Sequence, residues 1–420
     1  MADLLEKDNL AHLISTGTAI LGTSGEVAIT VRSLAQLAEV SPTTVQHYFP
    51  TRACLLAAIY DEAIKRDMSR LAQLDAAVRQ AGVPNVEAAL GLAQGLIADA
   101  CGANSERTLA RISALIGIGR GGTTGGRRTA RTWAARSRAL LARALRDITP
   151  APRKASRFLL EFLTGIELAS LGCRQNPLLP LLNAELVTHG LEVAIGRAQP
   201  RCPAWFNLCA AQALQQSQEE SAKSGTGKAP RALQDILAAS ARILAGDGPG
   251  ELTYRNAAKA AGVATSLVGY HFRSKNDLLY ATYRYIHDRF ARDIMAASVP
   301  SKSTGLQAGL DLVIDTPAGP KPAYIASLEA VVASAYEAGM TDLAWKTRMT
   351  RGVYYLHPRW SADSRLGDVD FTVHALSIWT LGATLLAESC CRPPSTIAYL
   401  RSRFAEAEHV FPNVGGAGKN

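Results

Sequence analysis

Two stretches of similar sequence, one in each half of the chain, determine the predicted fold. Residues 30–52 read TVRSLAQLAEVSPTTVQHYFPTR, and residues 253–275 read TYRNAAKAAGVATSLVGYHFRSK. In both stretches, apolar residues recur at helical spacing on either side of a short break at Glu39 or Gly262. Two short helices joined by a tight turn form the helix-turn-helix motif, whose second helix fits the DNA major groove. Each stretch therefore predicts one such motif.

Capping residues place the helices of the first stretch. An apolar pattern that starts after Asp8 predicts a first helix of about 14 residues. Thr30 is a favourable N-cap for a second helix, and Ser41 followed by Pro42 predicts the start of a third. Thr51 is predicted to cap a longer fourth helix.

The second stretch repeats this plan with small changes. Thr253 and Ser274 occupy the capping positions of the second and fourth helices. Gly262 supplies the tight turn that Glu39 must make in the first copy, where no glycine is present. We therefore expect two modules of the same shape.

An internal repeat organises the whole chain. When Ile14 is aligned with Leu237, residues 14–60 overlie residues 237–283 with 14 identities over 47 positions and no gap. The polar, Gly- and Ser-containing segment 215–230 is predicted to be a flexible linker between the repeats. The predicted domains are a first helix-turn-helix domain (1–52), a first helical regulatory domain (53–214), the linker (215–230), a second helix-turn-helix domain (231–275) and a second helical regulatory domain (276–420).

Composition agrees with a helical protein that has a polyanionic partner. The 420 residues are 48% hydrophobic and only 6% aromatic, and Ala and Leu are abundant, which favours helices over strands. The formal net charge of +9 suits nucleic acid, although charge alone is weak evidence because many basic proteins bind none.

At the level of the complete pattern, both stretches resemble the signature of the tetracycline-repressor (TetR) family of transcription regulators. The resemblance covers about 50 residues in each half, and the rest of the chain agrees with the family only in its length and its helical sequence pattern. It implies an all-α fold with two TetR-like halves, each a helix-turn-helix domain followed by a helical ligand-binding and dimerisation domain. It also implies a DNA-binding regulator, most often a repressor that a small molecule releases.

The family pattern implies contacts to DNA, carried over position by position. The capping threonines, the histidines and tyrosines and the basic residues would hold phosphates, whereas the first residues of the third helix would face bases. The candidates are Thr30, Arg32, Pro42, Thr43, Thr44, Gln46, His47, Tyr48 and Arg52 in the first module, and Thr253, Arg255, Thr265, Ser266, Leu267, Tyr270, His271 and Lys275 in the second.

The two third helices differ from the family pattern and from each other. The aromatic residue that commonly precedes the His-Tyr pair is Gln46 in one copy and Gly269 in the other. Gly269 costs its helix about 1 kcal/mol relative to Ala. We therefore expect an operator with two unlike half-sites. A single exposed His or Tyr could equally be a solvated surface residue.

The helices after each module are expected to hold the dimer interface. In the family, the last two helices of each subunit form a four-helix bundle, for which residues 156–171, 178–195, 369–388 and 396–410 are the candidates. Gly165 and Gly382 fall inside the first helix of each pair and would permit close packing. Because one chain holds both halves, we expect an intramolecular pseudo-dimer. The alternative is that each half pairs with its twin in another chain.

Aromatic residues in these regions are candidates for a small-molecule site. Trp133, Trp345, Tyr354 and Trp379 could line an apolar effector pocket, although such residues more often form core. Residues 120–146 hold eight arginines and no acidic residue. We interpret them as a solvated helix face, with an anion site or an additional DNA contact as the alternative.

Signals for other functions are weak. Residues 117–122 fit GxGxxG without the βαβ context of a dinucleotide site, and they are interpreted as an interhelical loop. His189 and His374 are lone histidines on apolar helices, typical of core residues rather than ligands. We expect no catalytic residues, no cofactor and no metal. An enzyme is the distant alternative, and a helical scaffold with decayed DNA-binding modules is the other.

Sequence signals that target a protein to a membrane or to an oxidising compartment are weak as well. The acidic N-terminus lacks the basic start and apolar core of a signal peptide. The uncharged run Phe371–Ala387 is short for a membrane span and predicts a buried helix. The seven cysteines match no zinc-site spacing and are expected to be reduced thiols in the cytoplasm.

Overall fold

A computed structural model describes residues 2–121, 123–197, 203–223, 230–297, 314–316, 319–320, 322–351, 371–392 and 395–410. Nearly all of them are helical, as the composition predicts. The helices of the first half are α1 (Ala2–Ser24), α2 (Val31–Leu37), α3 (Pro42–Tyr48), α4 (Arg52–Ala81), α5 (Val86–Cys101), α6 (Ser105–Gly121), α7 (Thr124–Ala144), α8 (Pro152–Leu171), α9 (Leu179–Ala194) and α10 (Ala204–Lys223).

The second half contains eight further α-helices within the described residues. They are α11 (Arg231–Gly246), α12 (Tyr254–Ala261), α13 (Thr265–His271), α14 (Lys275–Ala297), α15 (Pro322–Ala333), α16 (Thr341–Thr350), α17 (Phe371–Cys390) and α18 (Ser395–Val410). Two 3-10 turns, Glu26–Ala28 and Ala338–Met340, and one antiparallel pair of short strands, β1 (Ile314–Thr316) and β2 (Gly319–Pro320), complete the described structure.

Two hydrophobic cores hold these helices together. The larger core runs without interruption from the first module through α4–α9 and into α17 and α18. A smaller core belongs to the second module and includes Ile236, Val268, Phe272 and Leu278. It also receives Ala326 from α15. The second module is therefore built around its own apolar centre, whereas the first module shares a core with the helices that follow it.

The closest crossing between the two halves is that of α8 with α17. A Cβ atom placed on Gly165 would overlap the backbone carbonyl of Ile378, and one placed on Gly382 would overlap that of Glu161. Only glycine lets two helix backbones approach this closely. The prediction that Gly165 and Gly382 permit close packing is confirmed.

A buried ionic cluster lies at this crossing. Glu161 is fully buried on α8 and accepts hydrogen bonds from Trp379 Nε1 at 2.9 Å and from Tyr399 Oη at 2.7 Å. The guanidinium of Arg403 donates to both carboxylate oxygens, at 2.7 and 2.8 Å. Burial lowers the pKa of Arg403, but the neighbouring Glu161 raises it by more, so the guanidinium stays charged. All three donors to Glu161 come from the second half, so this carboxylate joins the halves.

The structure corrects three sequence-based expectations. The first helix spans 23 residues instead of about 14. Residues 215–223 of the predicted linker belong to α10, because Phe206 and Ala213 anchor that helix in the core and its polar end is rich in helix-forming residues. The glycine-rich segment near residue 117 lies in α6 rather than in a loop, because the ring of Tyr60 packs where a Cβ of Gly117 would be.

Other expectations are confirmed. The apolar run that was predicted to be a buried helix forms α17, which is buried along most of its length. His189 and His374 are core residues, exposed by 4% and 1%. No single described helix is both long and apolar enough to cross a membrane; α5 and α6 meet that criterion only as a pair, and they are bent by 87°.

The glycine crossing predicts a clear response to substitution. Gly165→Ala and Gly382→Ala should each lower the free energy of unfolding by about 1–3 kcal/mol or more, because the added methyl group meets backbone atoms that cannot move aside. Urea unfolding monitored by circular dichroism would measure the change.

Gly95→Ala on α5 is the matched control, since a Cβ at that position meets nothing within 4 Å. It should raise stability by about 0.5–1 kcal/mol, because Ala is the better helix former. Equal effects of the three substitutions would contradict the close crossing.

Candidate nucleic-acid interface

The first module has the capped geometry that its sequence predicts. Thr30 accepts a hydrogen bond from the backbone N–H of Ser33, whose hydroxyl in turn accepts from the N–H of Thr30. Ser41 caps α3 by accepting from the N–H of Thr44, and Thr51 caps α4. These caps define where α2, α3 and α4 begin, because each one satisfies an N–H group that a helix start leaves without a partner.

The second module reproduces this geometry with one cap missing. Thr253 caps α12 by accepting from the N–H of Asn256, and Ser274 accepts from the N–H of Asp277 at the start of α14. Ala264 stands where Ser41 stands in the first module, and it cannot cap α13. Tyr254 compensates in part, since its hydroxyl donates to the carbonyl of Phe272 at 2.7 Å.

The turn between the two helices adopts a left-handed backbone in both modules. Gly262 has φ 69°, and Glu39 has φ 55° and is the only non-glycine residue with positive φ in the described part of the chain. A residue with a Cβ pays about 1 kcal/mol for this conformation. The prediction that Glu39 must make the turn that Gly262 makes is confirmed.

The third helices, α3 and α13, present polar side chains on their outer faces. Each has one fully buried anchor, Val45 or Val268. The exposed candidates are Thr30, Arg32, Pro42, Thr43, Gln46, His47, Thr253, Arg255, Thr265, Ser266 and Tyr270, and the half-buried ones are Thr44, Tyr48, Arg52, Leu267, His271 and Lys275.

The aromatic pair at the end of each third helix has the same geometry despite its reversed order. The rings of His47 and Tyr48 meet edge to face with centroids 5.3 Å apart, and those of Tyr270 and His271 do so at the same distance. Tyr270 is 82% exposed, which is unusual for so large a side chain. An exposed Tyr beside an imidazole offers an O–H and an N–H donor, groups that can hold a phosphate.

A comparison with known families adds independent support for one of the modules. Residues 236–282 match the family described as bacterial regulatory proteins, tetR family. The second module is therefore similar to the DNA-binding domain of this family. The match supports a DNA-binding transcription regulator with a helix-turn-helix of this family, and it covers α12 and α13 completely. The comparison with curated proteins finds no match to this chain.

Two of the predicted phosphate ligands, both half-buried, make contacts within the protein. Arg52 Nη1 lies 3.5 Å from the Glu26 carboxylate and 3.9 Å from Glu251 of the second module. Lys275 Nζ donates to the carbonyl of Gly250 at 3.4 Å. Burial and the neighbouring Arg52 lower the pKa of Lys275. Both cations make contacts near the junction of the modules, and their predicted role as phosphate ligands stays a prediction.

An ionic cluster that the sequence did not reveal forms that junction. Arg120 at the end of α6 donates to Glu26 in the first module at 2.7 Å and to Glu329 on α15. The hydroxyl of Tyr60 donates to the Glu26 carboxylate at 2.6 Å. The side chains of Glu26, Arg120 and Glu329 are all buried. These residues come from separate elements, so no local pattern could have predicted the cluster.

Two buried carboxylates of this cluster contact the guanidinium of Arg120, and Glu26 also lies 3.5 Å from that of Arg52. Burial raises the pKa of Glu329 to about 7; Arg120 opposes this rise, and the nearby Glu26 adds to it. Like charges in a buried site disfavour double ionisation. One proton is therefore held in the cluster at a pH where an exposed glutamate would be ionised.

The arginine-rich segment is partly structural. Its apolar stripe is buried behind the arginines, as expected. Arg127 donates to the carbonyls of Glu388 and Cys391 at the C-terminal end of α17, and Arg143 pairs with Asp75 at 3.0 Å. Only part of this segment is therefore the solvated face that the sequence suggested.

Of the aromatic candidates for an effector pocket that the structure describes, Trp133 lines a cavity that neither Trp345 nor Trp379 lines. Trp133 lines a cavity of about 60 Å³ and donates to Asp67, and Trp379 is buried against Phe158 in the core. Trp345 packs at the edge of the same core, and Tyr354 lies outside the described residues. The cavity beside Trp133 is far smaller than the roughly 300–1,000 Å³ of a typical ligand site. The small-molecule site predicted at these residues therefore stays a prediction.

The left-handed turns predict opposite effects of two substitutions. Glu39→Gly should raise the free energy of unfolding by up to about 1 kcal/mol, and Gly262→Ala should lower it by about 1 kcal/mol, because only glycine adopts positive φ without strain. Urea unfolding of each variant would measure the difference.

Gly246→Ala serves as the control, because Gly246 has no positive φ and, like Gly262, has open space around its Cα. That variant should be neutral or slightly stabilised. A loss of stability equal to that of Gly262→Ala would show that the turn conformation is not the cause.

The buried acid pair predicts a pH dependence of stability. Because the pKa of Glu329 is raised in the folded state, the folded chain binds a proton more tightly than the unfolded chain between about pH 4.5 and about pH 7. The free energy of unfolding should therefore fall as the pH rises through this window. Glu329→Gln should reduce the fall, as urea unfolding at about pH 5 and about pH 8 would show.

Glu87→Gln is the control, since Glu87 is exposed on α5. It should leave the pH dependence of the parent chain unchanged. If the free energy of unfolding of Glu329→Gln depends on pH as that of the parent chain does, the cluster does not hold the proton.

Proposed function

We propose that the chain is a ligand-responsive transcription repressor that reads an operator with two unlike half-sites, one with each of its helix-turn-helix modules. It acts in the cytoplasm, without catalysing a reaction. The observation that carries this proposal is the duplicated module geometry, which includes paired caps, paired left-handed turns and paired aromatic edges. The family match covers one copy, and the shared geometry extends the DNA-binding role to the other.

The contacts between α8 and α17 support a pseudo-dimer of the two halves. The interval in sequence from Gly165 to Gly382 equals that from Glu161 to Ile378. Gly165 in the first half therefore corresponds to Gly382 in the second, and Glu161 corresponds to Ile378. Gly165 packs on Ile378, and Gly382 packs on Glu161. In a two-fold interface, residue i contacts residue j while j contacts i, and these four positions follow that rule.

The contacts between α6 and the segment formed by α15 and its C-terminal end follow the same rule. The interval in sequence from Ser113 to Glu329 equals that from Arg120 to Tyr336. Ser113 therefore corresponds to Glu329, and Arg120 corresponds to Tyr336. Arg120 donates to Glu329, and the hydroxyls of Tyr336 and Ser113 lie 3.4 Å apart. One pair is ionic and the other is neutral, so the arrangement is two-fold in geometry but not in chemistry.

The module turns extend this symmetry to the DNA-binding end. Gly25 packs against the ring of Tyr336, and Gly248, its equivalent in the second repeat, packs against the guanidinium of Arg120. Both glycines have positive φ. Each half therefore places one side chain against the glycine turn of the other half's module, which gives a route by which the halves set the position of the modules.

The Glu161–Arg403 pair favours unlike pairing over twin pairing. The positions that correspond to Glu161 and Arg403 in the other half are Ile378 and Leu186. If two first halves paired, Glu161 would be buried against apolar residues, whereas in a pair of second halves Arg403 would keep its ion pair with Glu406 of the same half. A buried charge without a partner costs several kcal/mol. The pair therefore supports association of a first half with a second half.

A DNA-selection experiment with the full chain, combined with its binding stoichiometry, tests the proposal. We expect one chain to bind a site with two unlike half-sites. Thr43→Ala should weaken binding and relax the sequence preference in one half-site, and Ser266→Ala should do so in the other, by about 1–3 kcal/mol each if the side chain contacts a base edge. Gln73→Ala, exposed on α4, is the matched control.

Several outcomes would contradict this proposal in different ways. A perfect palindrome would refute the unlike half-sites, and two chains per site would move the dimer interface between chains. No sequence preference, even at low salt, would refute the regulator and favour the scaffold, for which the inward-turned Arg52 and Lys275 are the supporting observation.

A further inference from the structure

A cavity of about 310 Å³ opens between α5 and α9, away from the small cavity at Trp133. Its walls are mainly apolar and include Ile97, Leu179 and Val187. Its polar lining includes Arg174 and Asn183. In volume it reaches the range of small-molecule sites, roughly 300–1,000 Å³.

A buried arginine from the second half lies directly behind this cavity. Arg348 on α16 is 2% exposed, and its guanidinium donates to Asn183 Oδ1 at 2.7 Å and to Ser170 Oγ at 2.8 Å. Its Nε has no partner. Within the part of the chain that the structure describes, no carboxylate pairs with Arg348. A buried charge without a counterion is costly, so its presence calls for a functional explanation.

The thiols near Arg348 do not supply the missing negative charge. Burial raises the pKa of Cys101 to about 12, and it also raises the pKa of Cys173, although Arg348 lowers both. The thiols therefore stay neutral near pH 7. His374, whose pKa burial and the nearby Arg348 and Arg351 lower well below its usual value, is neutral as well.

Arg348 also fixes the orientation of the Asn183 amide. Because Asn183 Oδ1 accepts from Arg348, its Nδ2 is directed to the side of Cys101 Sγ, which lies 4.0 Å away and is a weak acceptor. Cys101 and Asn183 both line the cavity. The amide therefore offers donors at the cavity wall that the described protein atoms satisfy poorly.

Arg174 adds a second cation without an acidic partner. Its Nη1 donates to the carbonyls of Leu171 at 3.3 Å and Ala335 at 2.8 Å, and no described carboxylate lies within ion-pair distance. Arg174 lines the cavity. Arg174 and Asn183 are thus polar side chains in a mainly apolar lining, and Arg348 is hydrogen-bonded to Asn183 from behind it.

We propose that this cavity binds an apolar carboxylate, with the carboxylate held by Arg174 and by the Asn183 amide that Arg348 orients, and with the hydrocarbon part against Ile97, Leu179 and Val187. A planar carboxylate can accept from both the guanidinium and the amide. Its negative charge offsets the positive charges of Arg174 and Arg348, and its apolar part packs against the apolar walls.

The site is also connected to the first module, and this regulatory role rests on the proposed function. Arg174 holds the carbonyl of Ala335, and the next residue, Tyr336, donates from its hydroxyl to the carbonyl of Leu21 in α1 at 2.7 Å and packs on Gly25. A carboxylate that draws Arg174 toward itself would loosen this contact. The ligand would then favour another arrangement of the first module and change the affinity for DNA.

Calorimetric titration of the full chain with decanoate, below its micellar concentration, tests the site, and decan-1-ol is the neutral comparison. Decanoate should bind at least about tenfold more tightly than the alcohol, as expected from charge-assisted hydrogen bonds. Arg174→Gln should weaken decanoate binding by about tenfold or more and leave the alcohol unaffected. Arg401→Gln, exposed on α18, is the matched control.

Asn183→Asp keeps the shape of the side chain and gives Arg348 its counterion. This variant should fold, melt no lower than the parent chain and lose decanoate affinity by about tenfold or more, because the added charge repels the ligand. Equal affinities for decanoate and decan-1-ol, or decanoate binding that survives both Arg174→Gln and Asn183→Asp, would overturn the proposal.

Measuring the DNA affinity in the presence of decanoate tests the proposed ligand site and the proposed regulatory role separately. On the selected operator, decanoate should lower the affinity of the parent chain and leave that of Asn183→Asp unchanged. If decanoate binds but DNA affinity does not change, the link through Tyr336 is refuted while the site stands. If the chain selects no DNA at all, the proposed function fails and the calorimetric result still decides the site.

Discussion

The backbone contact between α8 and α17 is the constraint on which the rest of the arrangement depends. Two helices can touch at this distance only where both lack a Cβ, and Gly165 and Gly382 meet that need. Close contact brings Glu161 within reach of Arg403, Tyr399 and Trp379, so one buried carboxylate is satisfied by the opposite half. The two glycines thus allow the close approach of the helices, and the ion pair between Glu161 and Arg403 adds a specific contact beside it.

The junction between the modules has side chains of unlike chemistry at equivalent positions. Arg120 and Tyr336 lie at equivalent places, yet one is ionic and the other neutral. The interface is asymmetric in chemistry, because Arg120 donates to both Glu26 and Glu329. Arg52 and Lys275 are drawn toward the same region. Residues that a symmetric regulator could use for phosphates here help to fix one module against the other.

Much of the module structure could be predicted from local sequence, because caps and turns depend on neighbouring residues. Thr30, Ser41 and Thr253 have the capping partners that their positions require, and Glu39 takes the left-handed turn that the repeat assigned to it. The cavity beside Arg174 could not be predicted in this way. Its polar end joins residues from the α8–α9 connection, α9 and α16, and the absence of a described carboxylate near Arg348 is a property of the packed interior.

The sequence by itself determined the helical class, the duplicated helix-turn-helix geometry and the two glycines of the crossing, since each follows from spacing or from the conformational freedom of a single residue type. Only the tertiary structure decided which charges meet. It turned Arg52 inward, separated Trp133 from Trp379 and placed Glu161 opposite Arg403. The physical reason is that burial sets the energy of a charge, and burial depends on residues that lie far apart in the chain.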